Sequence, residues 1–377
     1  MTERPQKTPN GRSRRSVSGQ GRLPFLFFTV AANGVEFTHA LASKGMGGMS
    51  RIGRRAFLLA SSVLLAAPLA RAQQRGRIYR VGTLFPFGPI GSERFIDALR
   101  ERLAKHGFVE GGNLVIVASH TYWDRKEAER SAREHSARPV DAIFTLSTIA
   151  AQGAIDGTKS VPIVFAWVGD PVFSGIVKAY ARPGGNATGV SNRFFELYVK
   201  RLELLRELVP SARRIAVVAG VFDATLEAAW KLAEPAVAKL GLEPIRVAAG
   251  GRWGAAARDA RSAGADVILV TTPFPHFGLH DEAKAFAEGA VNQRIPVVYS
   301  ESDTVDAGGL ASYGTNPLED MRRGVDVLAR VLKGESPTTL PVDQAARFEL
   351  VINLKAAQAI GFKVPGTVLV RADRVIE

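Results

Sequence analysis

The feature that most constrains the fold of this chain is a regular alternation of short apolar runs with longer segments of helical periodicity. In the first half, the runs at 79–84, 140–144 and 161–165 contain β-branched residues and are separated by helix-like segments. Strands that alternate with helices form a parallel sheet that is covered on both faces. The sequence therefore predicts an α/β fold.

The second half of the chain repeats this pattern. The run that contains Asp266 corresponds to the run with Asp141 in the first half, and Pro296 corresponds to Pro162 in a later run. Two similar Rossmann-like, doubly wound lobes explain the repetition better than one long sheet, because 377 residues exceed what one core usually serves. The alternative is that βαβ units resemble one another without any duplication.

The boundaries of the lobes follow from turn residues and from the order of the predicted elements. A turn cluster at 183–186 ends the first pattern, and we expect the first crossing between the lobes just after it. A strand, helix, strand and helix follow residue 310, so we expect the chain to return to the first lobe and to cross again, which forms a hinge. The predicted first lobe is 73–190 with 302–345, and the predicted second lobe is 191–301 with 346–377.

The N-terminal region differs in composition from the rest of the chain. Residues 1–49 are rich in Arg, Ser and Gly, and we expect either a disordered leader or a start assigned too far upstream. Residues 50–72 have a basic start, an apolar run and a small-residue cleavage site after Ala72, which predicts a cleavable signal peptide. The pair Arg54-Arg55 resembles the twin-arginine export motif. The alternatives are export by the Sec route and an uncleaved interfacial helix.

The charge and the cysteine content exclude several classes of function. The net charge is +13, but residues 1–72 carry 11 Lys and Arg against 2 Asp and Glu, which leaves 38 against 34 for residues 73–377. Because the excess lies in the segment that we expect to be removed, we predict no nucleic-acid partner. The absence of Cys excludes disulfides, zinc–thiolate sites and cysteine nucleophiles.

Several motifs spread over residues 78–377 form a specific signature. They are Gly107-Phe-Val-Glu-Gly-Gly-Asn113, Gly169-Asp-Pro-Val172, Ala181-Arg-Pro-Gly-Gly-Asn-Ala-Thr-Gly189, Ala307-Gly-Gly-Leu-Ala-Ser-Tyr-Gly314 and Phe348-Glu-Leu-Val-Ile-Asn353. Together they resemble the substrate-binding components of bacterial ABC importers, in the group that includes tryptophan/tyrosine-binding proteins.

The resemblance implies a type I periplasmic binding fold, with two lobes, three crossings and a ligand in the cleft between the lobes. It implies a periplasmic monomer that binds a small molecule, either amino-acid-like or an aromatic or organic anion, and an ABC permease in the inner membrane as its partner. The sequence departs from the family pattern at 146–149 and 272–274. Both segments fall at expected cleft loops, where we expect ligand specificity to lie.

A cleft ligand is held by loops at the carboxyl ends of strands from both lobes. The predicted ligand-binding residues are Phe85, Ser147, Thr148 and Asp170 from the first lobe, and Phe222, Asp223, Phe274 and Glu301 from the second lobe or the hinge. The hydroxyls at a helix start suit a carboxylate, the acidic residues suit an ammonium group, and the Phe rings suit an aromatic side chain. The simpler alternatives are helix caps, turn residues and core packing.

The sequence predicts no catalytic residue, no cofactor and no metal site. It contains no phosphate-binding loop, dinucleotide fingerprint, His-Glu-x-x-His helix or nucleophile elbow. Non-catalytic capture by hinge closure is therefore the preferred hypothesis. One alternative is a protein that presents its ligand to a membrane sensor. A second is a cleft hydrolase or isomerase that acts through Asp170 and Glu301.

Overall fold

The computed structural model describes residues 29–32, 35–38 and 76–377, except 220–223, 251 and 272–279. In the N-terminal unit, β1 (Thr29–Ala32) pairs antiparallel with β2 (Val35–Thr38). The predicted disordered leader or misassigned start at 1–49 stays a prediction, because these two strands are the only part of it among the described residues. The predicted signal peptide at 50–72 and its cleavage site lie outside the described residues.

The first lobe contains a six-stranded sheet in which all neighbouring strands are parallel. The order is β13-β7-β6-β5-β3-β4. Its strands are β3 (Tyr79–Phe85), β4 (Leu114–His120), β5 (Ala142–Leu146), β6 (Ile163–Val168), β7 (Ala187–Ser191) and β13 (Asp343–Gln344). Its helices are α1 (Pro89–Lys105), α2 (Arg125–Ser136), α3 (Thr148–Gly157) and α9 (Pro317–Leu332).

The second lobe contains a seven-stranded sheet with the order β15-β14-β12-β11-β10-β8-β9, and only the pair β12–β14 is antiparallel. Its strands are β8 (Arg214–Ala219), β9 (Glu243–Ala248), β10 (Val267–Val270), β11 (Val297–Tyr299), β12 (Ala311–Gly314), β14 (Glu349–Asn353) and β15 (Arg374–Ile376). Its helices are α4 (Phe194–Leu208), α5 (Ala224–Lys239), α6 (Trp253–Ser262), α7 (His280–Asn292), α8 (Ser302–Asp306), α10 (Leu354–Ala359) and α11 (Gly366–Leu369).

The central strands of the sheets in the two lobes are buried on both faces. Every residue of β5 and β6 is buried, and separate apolar clusters fill the two faces of each sheet. Burial of both faces explains why these strands are continuous apolar runs in the sequence. The predicted α/β fold with two doubly wound lobes is confirmed. Within the described residues, every helix is too short or too polar to cross a membrane.

Three connections join the lobes. They follow β7, β12 and β13, and each leads to an element of the other lobe. The sequence predicts that 302–345 belongs to the first lobe. The structure differs, since β12 pairs with β11 and β14 in the second sheet, and the second connection therefore lies after β12. The apolar run of β12 does not specify its partner strand, and the short helix α8 lets it lie directly beside β11.

The close pairing of β6 and β7 generates a test of the fold. A Cβ atom on Gly189 would lie 1.9 Å from the carbonyl oxygen of Phe165, and Gly189 has a φ of +157°. We expect Gly189→Ala to lower the free energy of unfolding by about 2 kcal/mol or more, which corresponds to a Tm about 4 °C lower. The control is Gly185→Ala, since a Cβ there meets no atom within 4 Å. Equal Tm values measured by calorimetry for the two variants would contradict this pairing.

Candidate functional site

The carboxyl ends of the parallel strands in the first lobe form one polar edge. The N–H of Gly169 donates to Oγ1 of Thr148 at 3.2 Å, and Oγ of Ser191 donates to the carbonyl oxygen of Gly169 at 2.8 Å. The N–H of Asn192 donates to the carbonyl oxygen of Val168 at 2.9 Å. The loops after β5, β6 and β7 are therefore held together at the edge where the sequence predicted ligand-binding residues.

The predicted hydroxyl residues lie at the start of α3. Ser147 is the N-cap residue, is 4% exposed, and accepts a hydrogen bond from the N–H of Ala150 at 3.3 Å. Its side chain therefore has the capping role that was the simpler alternative. Thr148 accepts the N–H of Gly169, which leaves its own hydroxyl hydrogen available as a donor.

Asp170 fixes the turn that follows β6. Its Oδ1 accepts the backbone N–H groups of Val172 and Phe173, each at 3.0 Å. Burial raises the pKa of Tyr180 to about 12, and its hydroxyl is hydrogen-bonded to Ser191 and Asp170. One carboxylate oxygen of Asp170 is thus committed to the turn, which is the simpler alternative for an Asp before a Pro.

Phe85 is placed differently from the prediction. It is fully buried in the core of the first lobe, with ring centroids 6.4 Å from Phe95 and 6.3 Å from Phe144. A sheet that is covered on both faces buries even the last residue of a central strand. The ring of Phe85 is therefore part of the core and does not line the cleft.

An aromatic cluster that the sequence analysis did not assign to the site lies at the same edge. The ring centroid of Trp123 is 5.6 Å from Phe87 and 6.1 Å from Trp167, and Trp123 is only partly buried. The position of Trp123 in the sequence could have indicated that it lies at this edge, because it follows the carboxyl end of β4 and directly precedes the N-cap residue of α2.

Backbone strain is concentrated at this edge. In the part of the chain that the structure describes, six non-glycine residues have a positive φ, and five of them follow or end strands of the first lobe. They are Tyr122, Trp123, Ser147, Trp167 and Arg193. Trp167 lies where the register of β6 and β7 shifts, between Phe165 and Val168. Strain of this kind is retained where the surrounding structure needs it, often at functional sites.

Of the predicted residues from the second lobe or the hinge, the structure describes Glu301. Phe222, Asp223 and Phe274 lie outside the described residues. Glu301 follows β11 as the N-cap residue of α8, is 8% exposed, and makes no capping hydrogen bond with its side chain. Burial raises the pKa of Glu301 well above its usual value; Asp303 and Asp320 raise it further, and Arg201 and Arg94 oppose them. Burial therefore disfavours the ionised form of this carboxyl group.

Arg201 connects the segments around the hinge. Its Nε donates to the carbonyl oxygen of Tyr313 at 2.6 Å, and its Nη2 donates to that of Ser300 at 3.3 Å. The guanidinium lies 5.3 Å from the ring centroid of Phe194, and Arg201 is 2% exposed. Burial lowers the pKa of Arg201 to about 10. The residue therefore remains a buried cation at neutral pH.

An ion pair joins the two lobes beside Glu301. Nη2 of Arg94 in α1 lies 2.9 Å from Oδ2 of Asp303 in α8. Both side chains are partly exposed, at 45% and 38%. In the described ranges, no group of three or more His, Cys, Asp or Glu residues is arranged to hold a metal ion.

The buried carboxyl group of Asp320 gives this region a pH dependence. Asp320 lies in the first turn of α9 and is 3% exposed. Burial raises the pKa of Asp320 to about 6, although a hydrogen bond with Thr315 and the charge of Arg323 lower it. Because the folded-state pKa is raised, ionisation weakens the folded state as the pH rises from about 4 to above about 6.

We expect Asp320→Asn to remove this cost. Its free energy of unfolding relative to the natural protein should increase by about 3 kcal/mol between about pH 4 and about pH 7. Urea denaturation over this range measures the difference, with Asp97→Asn, which removes an exposed carboxylate from α1, as the baseline. A difference that does not change with pH would contradict the raised pKa.

Comparison with known proteins places this chain in a family. The chain is 27% identical over 270 residues to a tyrosine-binding protein of Clostridioides difficile (strain R20291), which covers 71% of this chain and 75% of the relative. A conserved domain protein of Vibrio cholerae has 26% identity and a TM-score of 0.70, with 79% of this chain and 100% of that chain covered.

A protein of Streptococcus pneumoniae solved in complex with L-Trp has 23% identity and a TM-score of 0.69, with 79% of this chain and 100% of that chain covered, which shows the shared fold. The predicted type I periplasmic binding fold is confirmed by these neighbours. The model of the ABC transporter substrate binding protein family matches residues 91–376, and the chain belongs to that family.

Proposed function

We propose that this chain is the extracytoplasmic solute-binding component of an ABC importer and that it captures an amino acid with an aromatic side chain in the cleft between the lobes. The observation that carries the proposal is the polar edge of the first lobe, with Thr148 after β5 and the partly buried ring of Trp123 after β4, on either side of β3. Membership of the substrate-binding family and the similarity to a tyrosine-binding protein support it.

Each part of such a ligand has a complementary group in the cleft. Free N–H groups at the start of α3 and the hydroxyl of Thr148 suit the carboxylate. Trp123 suits the aromatic ring by edge-to-face or offset stacking. Glu301 suits the ammonium group, since a nearby cation stabilises its ionised form. No group of this set is assigned a catalytic step.

Capture would proceed by hinge closure about the three connections. A ligand that contacts both lobes binds the closed form more tightly than the open form and shifts the equilibrium toward it by that difference in affinity. The ion pair between Arg94 and Asp303 contributes to the closed form because it joins α1 to α8. The closed protein would then deliver the ligand to a permease in the inner membrane.

The site of action that we propose is the periplasm. Residues 50–72 supply the export signal, with the twin-arginine-like pair Arg54-Arg55 and cleavage after Ala72. Membership of an extracytoplasmic binding-protein family supports this localisation. N-terminal sequencing of the exported protein is the direct measurement, and a first residue other than Gln73 would move the cleavage site.

Calorimetric titration with L-tyrosine and L-tryptophan tests the proposed ligand class. We expect saturable binding, and we expect Trp123→Ala to weaken it by about tenfold, because an aromatic contact with the ligand ring is lost. The matched control is Tyr79→Ala, which removes a ring packed on Phe108 at the opposite end of the first sheet. Equal losses for the two variants would show that Trp123 acts through stability alone.

The contribution of the interlobe ion pair is testable by a double-mutant cycle. We expect Arg94→Ala and Asp303→Ala each to weaken ligand binding about two- to fivefold, because the pair is partly exposed. The double variant should lose no more than either single variant, because each substitution alone already removes the interaction. Asp97→Ala is the control, since it breaks the pair with Arg100 inside α1 without touching the other lobe. Additive losses in the cycle would mean that the two side chains do not interact in the closed form.

A further inference from the structure

We propose that a groove on the second lobe, beside the connections to the first lobe, binds a small organic cation that has an apolar body. The groove has a volume of about 350 Å³. It lies between the side of α4 that carries Lys200 and Glu207, the residues Tyr313 in β12 and Phe348 before β14, and Asp373 before β15, and we call it the hinge groove. The described residues that line it include none of the residues assigned to the cleft, so the site goes beyond the proposed function.

The inner wall of the hinge groove is aromatic and apolar. The ring centroids of Tyr313 and Phe348 are 6.2 Å apart, the two rings are tilted by 47°, and both side chains are partly buried. Leu204 and Leu350 line the same groove and are each 6% exposed. Two tilted rings and two Leu side chains can pack the apolar part of a ligand. The volume also falls in the range of small-molecule pockets, about 300–1,000 Å³.

Most of the charged side chains around the hinge groove are paired with one another. Nζ of Lys200 lies 2.8 Å from Oε2 of Glu203, and the guanidinium of Arg371 is paired with Glu207. All four side chains are at least 44% exposed, so water screens these ion pairs. Because the charges of the two pairs cancel, the net charge of the groove is set by one remaining acidic side chain.

The remaining acidic side chain is that of Asp373. Within the described ranges it forms no ion pair, and the cations next to it in the sequence, Arg371 and Arg374, are paired with other carboxylates. Its Oδ2 accepts the N–H of Leu350 at 2.8 Å, which fixes the carboxylate beside the groove and leaves Oδ1 available to a ligand. A cation here would gain a charge-assisted hydrogen bond and an attraction to the aromatic rings. An anion would meet an uncompensated carboxylate, so the groove favours a cation.

The two rings relate the hinge groove to all three connections between the lobes. Tyr313 precedes the second connection, and Phe348 lies at the end of the third. The guanidinium of Arg193, in the first connection, lies 5.5 Å from the ring centroid of Phe348. The backbone rotations that move two lobes occur at such connections. A movement of the lobes would therefore change how these three side chains meet at the groove.

Occupation of the hinge groove should favour closure of the lobes. The groove is present in the form in which Arg94 is paired with Asp303 across the lobes. A ligand that fits this form stabilises it against forms with a different hinge, and the coupling acts in both directions. The carbonyl oxygen of Tyr313 also accepts Nε of Arg201 at 2.6 Å, which links the groove to the hinge region. This consequence for capture rests on the proposed function, whereas the groove site itself does not.

Calorimetric titration of the full chain with 2-phenylethylammonium, which joins one positive charge to one ring, tests the site. The matched probes are 2-phenylethanol, which lacks the charge, and 3-phenylpropionate, which carries the opposite charge. We expect saturable binding of the cation and at least about tenfold weaker binding of the other two probes.

Matched variants identify the groups that hold the cation. We expect Phe348→Ala and Asp373→Asn each to weaken its binding about five- to tenfold. The amide oxygen in Asp373→Asn can still accept the N–H of Leu350, so this variant tests the charge without removing that hydrogen bond. The controls are Tyr79→Ala and Asp97→Asn, which remove a ring and an exposed carboxylate from the first lobe and should leave binding of the cation unchanged.

The outcomes separate the hinge groove from the cleft. Trp123→Ala should leave the affinity for the cation unchanged, and a loss as large as that in Phe348→Ala would place the probe in the cleft and overturn the groove site. Equal binding of the three probes, or no binding of the cation by the folded protein, would also overturn it. Failure of L-tyrosine and L-tryptophan to bind while the cation still binds would overturn the proposed ligand class alone.

The coupling to closure has its own readout. Arg94→Ala removes the ion pair between the lobes and should weaken binding of the cation about two- to fivefold, although Arg94 belongs to the other lobe. Asp97→Ala, which breaks an ion pair inside α1, is the control. An affinity that is equal in these two variants would show that the groove does not sense the movement of the lobes.

Discussion

The buried guanidinium of Arg201 is the interaction on which the hinge region depends. It lies on α4, just after the first connection, and it donates to carbonyl groups at the ends of β11 and β12. A buried cation is tolerated only when hydrogen bonds and nearby negative charge compensate the loss of hydration. Arg201 therefore holds α4 to the ends of β11 and β12 on the second-lobe side of the hinge.

The same buried cation lies next to the acidic residue of the second lobe. Glu301 follows Ser300, whose carbonyl group binds Arg201, so the acidic residue of the second lobe is positioned by the element that holds the hinge. Asp320 enters from the first lobe in the first turn of α9. Burial raises the pKa of both carboxyl groups.

The sequence predicted the elements of the fold and the strand ends that carry the polar edge of the first lobe. Thr148 and Asp170 are brought together at that edge because parallel strands end on the same side. The sequence could not show that Phe85 lies in the core and not in the cleft. A ring at the last position of a strand has the same local sequence pattern whether it points into the core or into the solvent. Trp123 was missed because its loop carries no periodicity.

The sequence by itself determined the α/β class, the two lobes and the family, because periodicity and motifs are local properties of a chain. Only the tertiary structure decided that β12 belongs to the second sheet and that Arg94 meets Asp303, which lies 209 residues later. It also decided that Arg201 on α4 reaches the carbonyl groups of Ser300 and Tyr313, which lie 99 and 112 residues later. Burial and charge balance depend on which distant segments meet, and that information exists only once the lobes have formed.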